Sequence, residues 1–183
     1  MLILASASPR RRELLALLTK DFKICPASIP EKLYLYQTPG AYALMTASAK
    51  AHQVSLEHPE VVLGADTVVC KGAQVFGKPG DVAANIAMLR ALAGGWHSVL
   101  TGVALYQRGR LLERTLVKTR VLFDSALDDE LIAYANSSEG LDKAGGYGIQ
   151  GMAGKFVAAL DGCYYNVVGL PLTATARLLN QNL

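Results

Sequence analysis

The chain has 183 residues, 51% of them hydrophobic and 18% charged, with a formal net charge of +3. Such a length suits one domain with a full core, and such a balance excludes a disordered chain. The mild positive charge admits an anionic small molecule but argues against a stable nucleic-acid partner, which calls for a basic stripe and a more extreme pI.

Leu2-Ile3-Leu4-Ala5 reads as a short buried strand, followed directly by a helix start. Ser8 is a natural N-cap and Pro9 a natural first helical residue, since proline has no N–H to leave unpaired and its φ is already helical. Arg10, Arg11 and Arg12 then fall in the first turn, ahead of Leu14, Leu15, Leu17 and Leu18 at helical spacing. Cations there oppose the helix dipole, which favours acids at this end. Free backbone N–H groups, the Ser6 and Ser8 hydroxyls and a guanidinium cluster together suit a phosphate chain, each arginine able to grip a phosphate through two parallel hydrogen bonds. The plain alternative is a solvated basic helix start.

A second strand is expected from Phe22 to Pro26, then a loop over 27–39 carrying Glu31 and Lys32. An alanine-rich helix, suited to close packing, follows from Ala41 to about His58 with Lys50 in its second half. Val61 to Ala65 has the continuous apolar character of a central strand, with Asp66 at its C-terminal end, where ligands of open α/β sheets lie. A hairpin through Lys71-Gly72 leads to Gly77-Lys78-Pro79. Asp81 caps a helix over 82–93, stopped by Gly94-Gly95. Two long strands, 98–107 and 111–123, meet at Gly109, with Val117, Thr119, Val121 and Phe123 on one face and Lys118 and Arg120 on the other. A short helix over 128–136 precedes a glycine-dense loop, 137–154, carrying Asp142, Lys143, Tyr147 and Gln150. Asp161-Gly162 carries the signal of a tight hairpin turn, and a helix over 171–180 closes the chain.

Cys25, Cys70 and Cys163 lie in apolar runs without C-x-x-C spacing and read as small core residues in a reducing compartment. The apolar run at the start is too short for a signal peptide and its positive charges follow it, while no stretch is long enough to span a bilayer, so a cytoplasmic location is expected. Gly72-Ala-Gln-Val-Phe-Gly77-Lys78-Pro79 mimics a phosphate-binding loop but ends in proline instead of Ser or Thr and lies in a hairpin. Gly146-Tyr-Gly148-Ile-Gln-Gly151 matches a dinucleotide-binding pattern by letters only. His52, His58 and His97 assemble no catalytic set.

What remains is Arg10, Arg11, Glu31, Lys50, Asp66, Lys78 and Gln150, scattered in sequence and placed at element ends. Two carboxylates can hold a hard divalent cation that keeps part of its water, and the cations can neutralise a polyphosphate. A carboxylate beside the metal can take a proton from attacking water. Taken singly, Glu31 is also readable as a solvated loop acid and Lys50 as a snorkelling lysine.

These stretches closely resemble the Maf family of nucleoside triphosphate pyrophosphatases. Ser6-Ala7-Ser8-Pro9-Arg10-Arg11 with Glu13-Leu14, Gly64-Ala65-Asp66-Thr67, Gly77-Lys78-Pro79, Thr101-Gly102-Val103, the run 142–151 and Val168-Gly169-Leu170-Pro171-Leu172 match its motifs in order. The resemblance implies one domain over 1–183 that cleaves a nucleoside triphosphate between the α and β phosphates, with magnesium, manganese or cobalt. Asp66 would accept the proton of water, and Glu31 would join it around the metal. Ser8, Arg10, Arg11, Lys50 and Lys78 would bind phosphates. The implied fold is a mixed, twisted α/β sheet flanked by helices in an elongated two-lobed domain like that of the inosine triphosphatases, and a homodimer is compatible with it. Arg10, Thr67 and Gln150 are similar to the branch acting on dTTP and UTP, and Gln150, with one donor and one acceptor end, can read a pyrimidine edge. The rival readings are a nucleotide-binding regulator of septum formation and a 7-methyl-GTP or purine pyrophosphatase.

The chain departs from the family pattern at a few places. Met45 stands where an arginine is common, Ala49 where an acid often precedes the lysine, and Gly146 where alanine is usual. Glu31 follows proline instead of a second acid and is aligned by its spacing from Arg11.

Overall fold

The computed structural model describes residues 1–29 and 38–183. Among the described residues seven strands form one mixed sheet: β1 (Leu2–Leu4), β2 (Phe22–Ile24), β3 (Val61–Lys71), β4 (Gln74–Phe76), β5 (Gly95–Gln107), β6 (Arg110–Phe123) and β7 (Val157–Asp161). The helices are α1 (Pro9–Leu15), α2 (Pro39–Ser55), α3 (Val82–Leu92), α4 (Asp128–Asn136), α5 (Tyr164–Val168) and α6 (Leu172–Asn182). The strand order is β2-β1-β3-β5-β6-β7, with β4 paired to β3. The expected mixed α/β sheet flanked by helices is thus present.

Two compact units divide the chain. The first comprises Met1–Thr67, Leu100–Val117 and Tyr165–Leu183. Within it β1 pairs in parallel with both β2 and β3, so all three of its residues are buried, as an apolar strand with no solvated face requires. Ser8 caps α1 and Pro9 opens it, as expected, but the helix stops at Leu15. Leu14 and Leu15 are buried while Leu17, beyond the helix, is 65% exposed. Helix α2 begins at Pro39 instead of Ala41, because Thr38 accepts the Ala41 N–H and proline suits the first helical position. Ala43, Ala47 and Ala51 form a small-residue stripe at one-turn spacing on α2, all fully buried. They face glycines on the sheet. A Cβ on Gly64 would strike the Ala47 carbonyl and come 2.8 Å from the Ala51 nitrogen, and one on Gly102 would come 2.6 Å from the Ala43 oxygen. Helix and sheet therefore meet backbone to backbone, which explains the alanine content.

The second unit comprises Val68–Val99 and Lys118–Tyr164. Asp81 caps α3 by accepting the Ala84 N–H at 2.7 Å, and Gly94, at φ +66°, ends the segment as expected of a left-handed cap residue. On β6 the period-two reading holds: Thr119, Val121 and Phe123 are buried while Lys118 and Arg120 are exposed. The core is aromatic, with Phe123 edge-on to His97 and Tyr147 and tilted against Phe156. The glycine-dense segment contains two short tight helical turns, 144–146 and 152–156.

No hairpin forms at Asp161-Gly162. Instead β7 pairs antiparallel with β6, from Arg120 opposite Asp161 to Phe123 opposite Val157. The Thr119 hydroxyl then bonds both the N–H and the carbonyl of Cys163, each at 3.0 Å, and the chain turns into α5. A tertiary hydroxyl outcompetes the local turn signal at that point. The cysteines also differ from expectation: all three are free, but only Cys70 is buried, and Cys25 Sγ lies 3.6 Å from His58 Nε2. Among the described residues no helix is long and apolar enough to cross a membrane.

Candidate active site

In the first unit, site residues converge where β1 gives way to α1 and β3 continues beyond it. The parallel pairing of β1 with β3 ends at Leu4 opposite Leu63. The sequence reading ends the strand at Ala65, with Asp66 just after it. In the structure β3 runs on through Asp66 and Thr67 to Lys71, because the antiparallel hairpin with β4 extends it. Asp66 therefore lies inside a strand yet still past the carboxyl end of the parallel pair, the region where α/β sheets bind ligands.

Successive strand residues point to opposite faces. Val62 packs with Ala51 and Val54 of α2, and Gly64 meets the same helix, so Asp66 continues that face. Lys50, on α2, reaches it there: Lys50 Nζ lies 2.6 Å from Asp66 Oδ1, with both side chains mostly shielded, at 13% and 14% exposure. The close helix-to-sheet approach at Gly64 is what lets a lysine on α2 bond a carboxylate on β3.

Thr67 points the other way and meets Arg11. That guanidinium is held on three sides: Nε donates to the Gly169 carbonyl at 3.0 Å, Nη1 to Ser6 Oγ at 3.3 Å and Nη2 to Thr67 Oγ1 at 3.1 Å. The Thr101 hydroxyl donates to the Asn166 carbonyl at 3.1 Å, so in its 2.9 Å contact with Thr67 it is the acceptor. A directed chain results, running from Arg11 through Thr67 and Thr101 to Asn166. Ser8 accepts the Arg11 N–H at 3.5 Å, and its own N–H donates to Ser6 Oγ at 3.3 Å. Arg10, half-buried, stands in the same first turn. Sequence reasoning singled out Arg11, Asp66 and Thr67 but gave no role to Thr101 or Gly169, whose partners lie far along the chain.

Lys78 and Gln150 belong to the second unit, and both are exposed. Their segments touch: the Gly145 N–H donates to the Gly77 carbonyl at 3.0 Å, and the buried Asn85 amide donates to the Gly146 carbonyl at 2.7 Å. Glu31 falls outside the described residues. Among the described residues no three His, Cys, Asp or Glu side chains converge. The described site thus offers one carboxylate among hydroxyls and cations. That is a hard oxygen set of the kind magnesium uses when waters and substrate phosphates complete its shell, so the residues fit such an ion.

His97 is the clearest perturbed group. It is 2% exposed, its Nε2 lies 2.7 Å from the Tyr147 hydroxyl, and burial, helped by the charge of Lys71, lowers its pKa to about 4. It is a neutral core histidine, in keeping with the sequence reading.

Comparison with known proteins shows what the chain as a whole is similar to. The family described as Maf-like protein matches residues 1–182. A protein of Myxococcus xanthus named dTTP/UTP pyrophosphatase is 49% identical over 182 residues, covering 99% of this chain and 92% of its own. One of Moorella thermoacetica with the same name is 49% identical over 181 residues, covering 97% and 93%. Among solved structures, a HAM1 protein from Coxiella burnetii superposes with a TM-score of 0.54 at 16% identity over 98% of each chain. The Staphylococcus aureus Ham1 protein does so with a TM-score of 0.52 at 13% identity, over 100% of this chain and 99% of that one. These two likenesses are of fold. With its ordered motifs, its sheet and a match along nearly its whole length, the chain belongs to the Maf-like protein family.

Proposed function

We propose that this chain, acting as one catalytic domain over 1–183, hydrolyses pyrimidine nucleoside triphosphates, dTTP and UTP, between the α and β phosphates. The products are the nucleoside monophosphate and pyrophosphate. The observation that carries the reading is the pair Lys50–Asp66 on one face of β3 with the fixed Arg11 fork on the next residue's face. Support comes also from the names of relatives at 49% identity.

In this reading Asp66 takes the proton of the attacking water as it approaches the α phosphorus. Lys50 orients that carboxylate through one N–H and has further donors to offer a phosphate oxygen. Ser8, Arg10, Arg11 and Lys78 hold the phosphate chain, the arginines as planar forks. Asp66 and Glu31 would hold a magnesium, manganese or cobalt ion. Such an ion, when bound, supplies Lewis-acid neutralisation of the phosphate charge. Gln150 reads the base edge. Arg10 and Thr67 contribute to selectivity from the phosphate side, Thr67 through the arginine it is bonded to. A cytoplasmic location fits the three free thiols. A homodimer belongs to the reading on the strength of the family resemblance.

The test is Asp66→Asn. It keeps the size of the side chain and removes the base, so turnover of dTTP and UTP should fall by about 10²–10⁴-fold, the range for loss of a positioned base. Circular dichroism should show the fold retained. Unchanged turnover in a folded variant would overturn the role of Asp66.

A further inference from the structure

Gln150 stands at the tip of a tight turn closed by the Gly151 N–H, which donates to the Gly148 carbonyl at 3.1 Å. Both flanks of that turn end in one carboxylate. On the entry side the Gly148 N–H donates to the Tyr134 hydroxyl at 3.2 Å, and that hydroxyl donates to Glu139 Oε1 at 3.2 Å. On the exit side the Met152 N–H donates to Glu139 Oε2 at 3.1 Å. Each oxygen of Glu139 thus fastens one side. Tyr134 is 3% exposed and burial above all pushes its pKa up, so the phenol keeps its proton and stays a donor.

The two glycines flanking Gln150 have their explanation here. Gly151 has φ −107°, outside the left-handed region, so no left-handed turn requires glycine there. Space does: a Cβ would run into both carboxylate oxygens of Glu139. A Cβ on Gly148 would come 2.8 Å from Lys143 Cε, and the Lys143 ammonium is itself bonded to the Glu139 carbonyl. The turn is shaped so that Glu139 and Lys143 can lie against it.

We propose that Glu139 is a positioning residue for nucleobase recognition, fixing the turn so that the Gln150 amide meets the base in one orientation. The inference rests on the base-reading role proposed for Gln150 above. A glutamine tells uracil from cytosine only if its donor and acceptor ends are held, because cytosine presents an amino donor where uracil presents a carbonyl acceptor. Groups that lock a recognition residue from behind carry that selectivity.

The test measures kcat/KM for UTP and CTP in the wild type, Glu139→Ala, Gln150→Ala and the double variant, with amide hydrogen exchange at Gly151 and Met152. Glu139→Ala should lose about tenfold in UTP-over-CTP preference, a coupling of the size seen between residues in one network. The double variant should be no less selective than Gln150→Ala alone, and the Met152 amide should exchange faster in Glu139→Ala. Glu139→Gln, which retains an acceptor for Met152, should recover part of the preference. Gly151→Ala, which displaces the carboxylate without removing it, should shift selectivity the same way should Glu139→Ala prove too unstable to assay. Full preference in Glu139→Ala, additive losses in the double variant or unchanged exchange at Met152 would each overturn the positioning role. Preference left intact by Gln150→Ala would overturn the base-reader assignment, and recognition by way of Glu139 with it; the two failures are told apart by which single variant is silent.

Discussion

Replacing Gly64 by alanine tests how the fold sets the Lys50–Asp66 pair. The added Cβ would lie 2.9 Å from Ala51 Cβ and 2.8 Å from the Ala51 nitrogen, and would strike the Ala47 carbonyl. Carbon atoms rest about 3.5–4.0 Å apart, so α2 must retreat from β3 by roughly 0.6–1 Å. Backbone cannot swing aside as a side-chain tip can, so the cost lies at the upper end of overpacking, about 3 kcal/mol. For a chain of this length that corresponds to a fall in Tm of roughly 6–12 °C. The retreat also carries Lys50, next to Ala51, away from Asp66. A bond of 2.6 Å opened by that much lengthens to about 3.2–3.6 Å, from the short end of hydrogen-bond distances to their outer limit. Urea denaturation and UTP turnover on the same samples measure both effects, and both should fall together at temperatures where the variant is fully folded. A stable variant with wild-type turnover would refute the claim that the glycine contact sets the Lys50–Asp66 geometry.

Arg11→Lys keeps the charge but removes the fork that joins Gly169, Ser6 and Thr67. KM for dTTP should rise about tenfold with a smaller change in kcat, and equal KM values by steady-state kinetics would contradict the phosphate role. His97 binds its proton more weakly folded than unfolded, with pKa values of about 4 and 6.5. The unfolded chain therefore takes up the proton first as pH falls, and this contribution to stability, up to about 3 kcal/mol, is complete above pH 6.5 and lost progressively towards pH 4. Urea midpoints at pH 7 and pH 4.5 should fall further apart in the wild type than in His97→Gln, and equal differences would count against a neutral buried His97.

Much of the scaffold is written locally. Ser8-Pro9 places the start of α1, Asp81 that of α3, and the alternation from Val117 to Phe123 shows which side of β6 is buried, because a cap and a period-two face depend on neighbours in sequence. Misreadings arise where a distant group decides. Asp66 disfavours strand on its own, yet pairing with β4 extends β3 past it. Asp161-Gly162 looks like a hairpin until the Thr119 hydroxyl engages Cys163. Pro39 reads as the end of a loop until Thr38 is seen to cap the helix. For the site, the residue types on α1 and β3 are legible because arginine and aspartate at element ends are chemically conspicuous. Their pairing is not: Lys50 with Asp66, and Arg11 with a carbonyl 158 positions away, depend on how the sheet is assembled. Glu139 carries no motif signal at all, since its partners are two backbone amides and a phenol in a loop.

The central claim concerns which bond is cleaved and in which nucleotides. The direct measurement is chromatographic identification of products from dTTP, UTP, CTP, GTP, ATP and 7-methyl-GTP, with magnesium, manganese or cobalt and with an EDTA control. The account predicts monophosphate and pyrophosphate in equal amounts, chiefly from dTTP and UTP, and no products in EDTA. Release of orthophosphate with a nucleoside diphosphate, preference for a purine, or binding without turnover would contradict it.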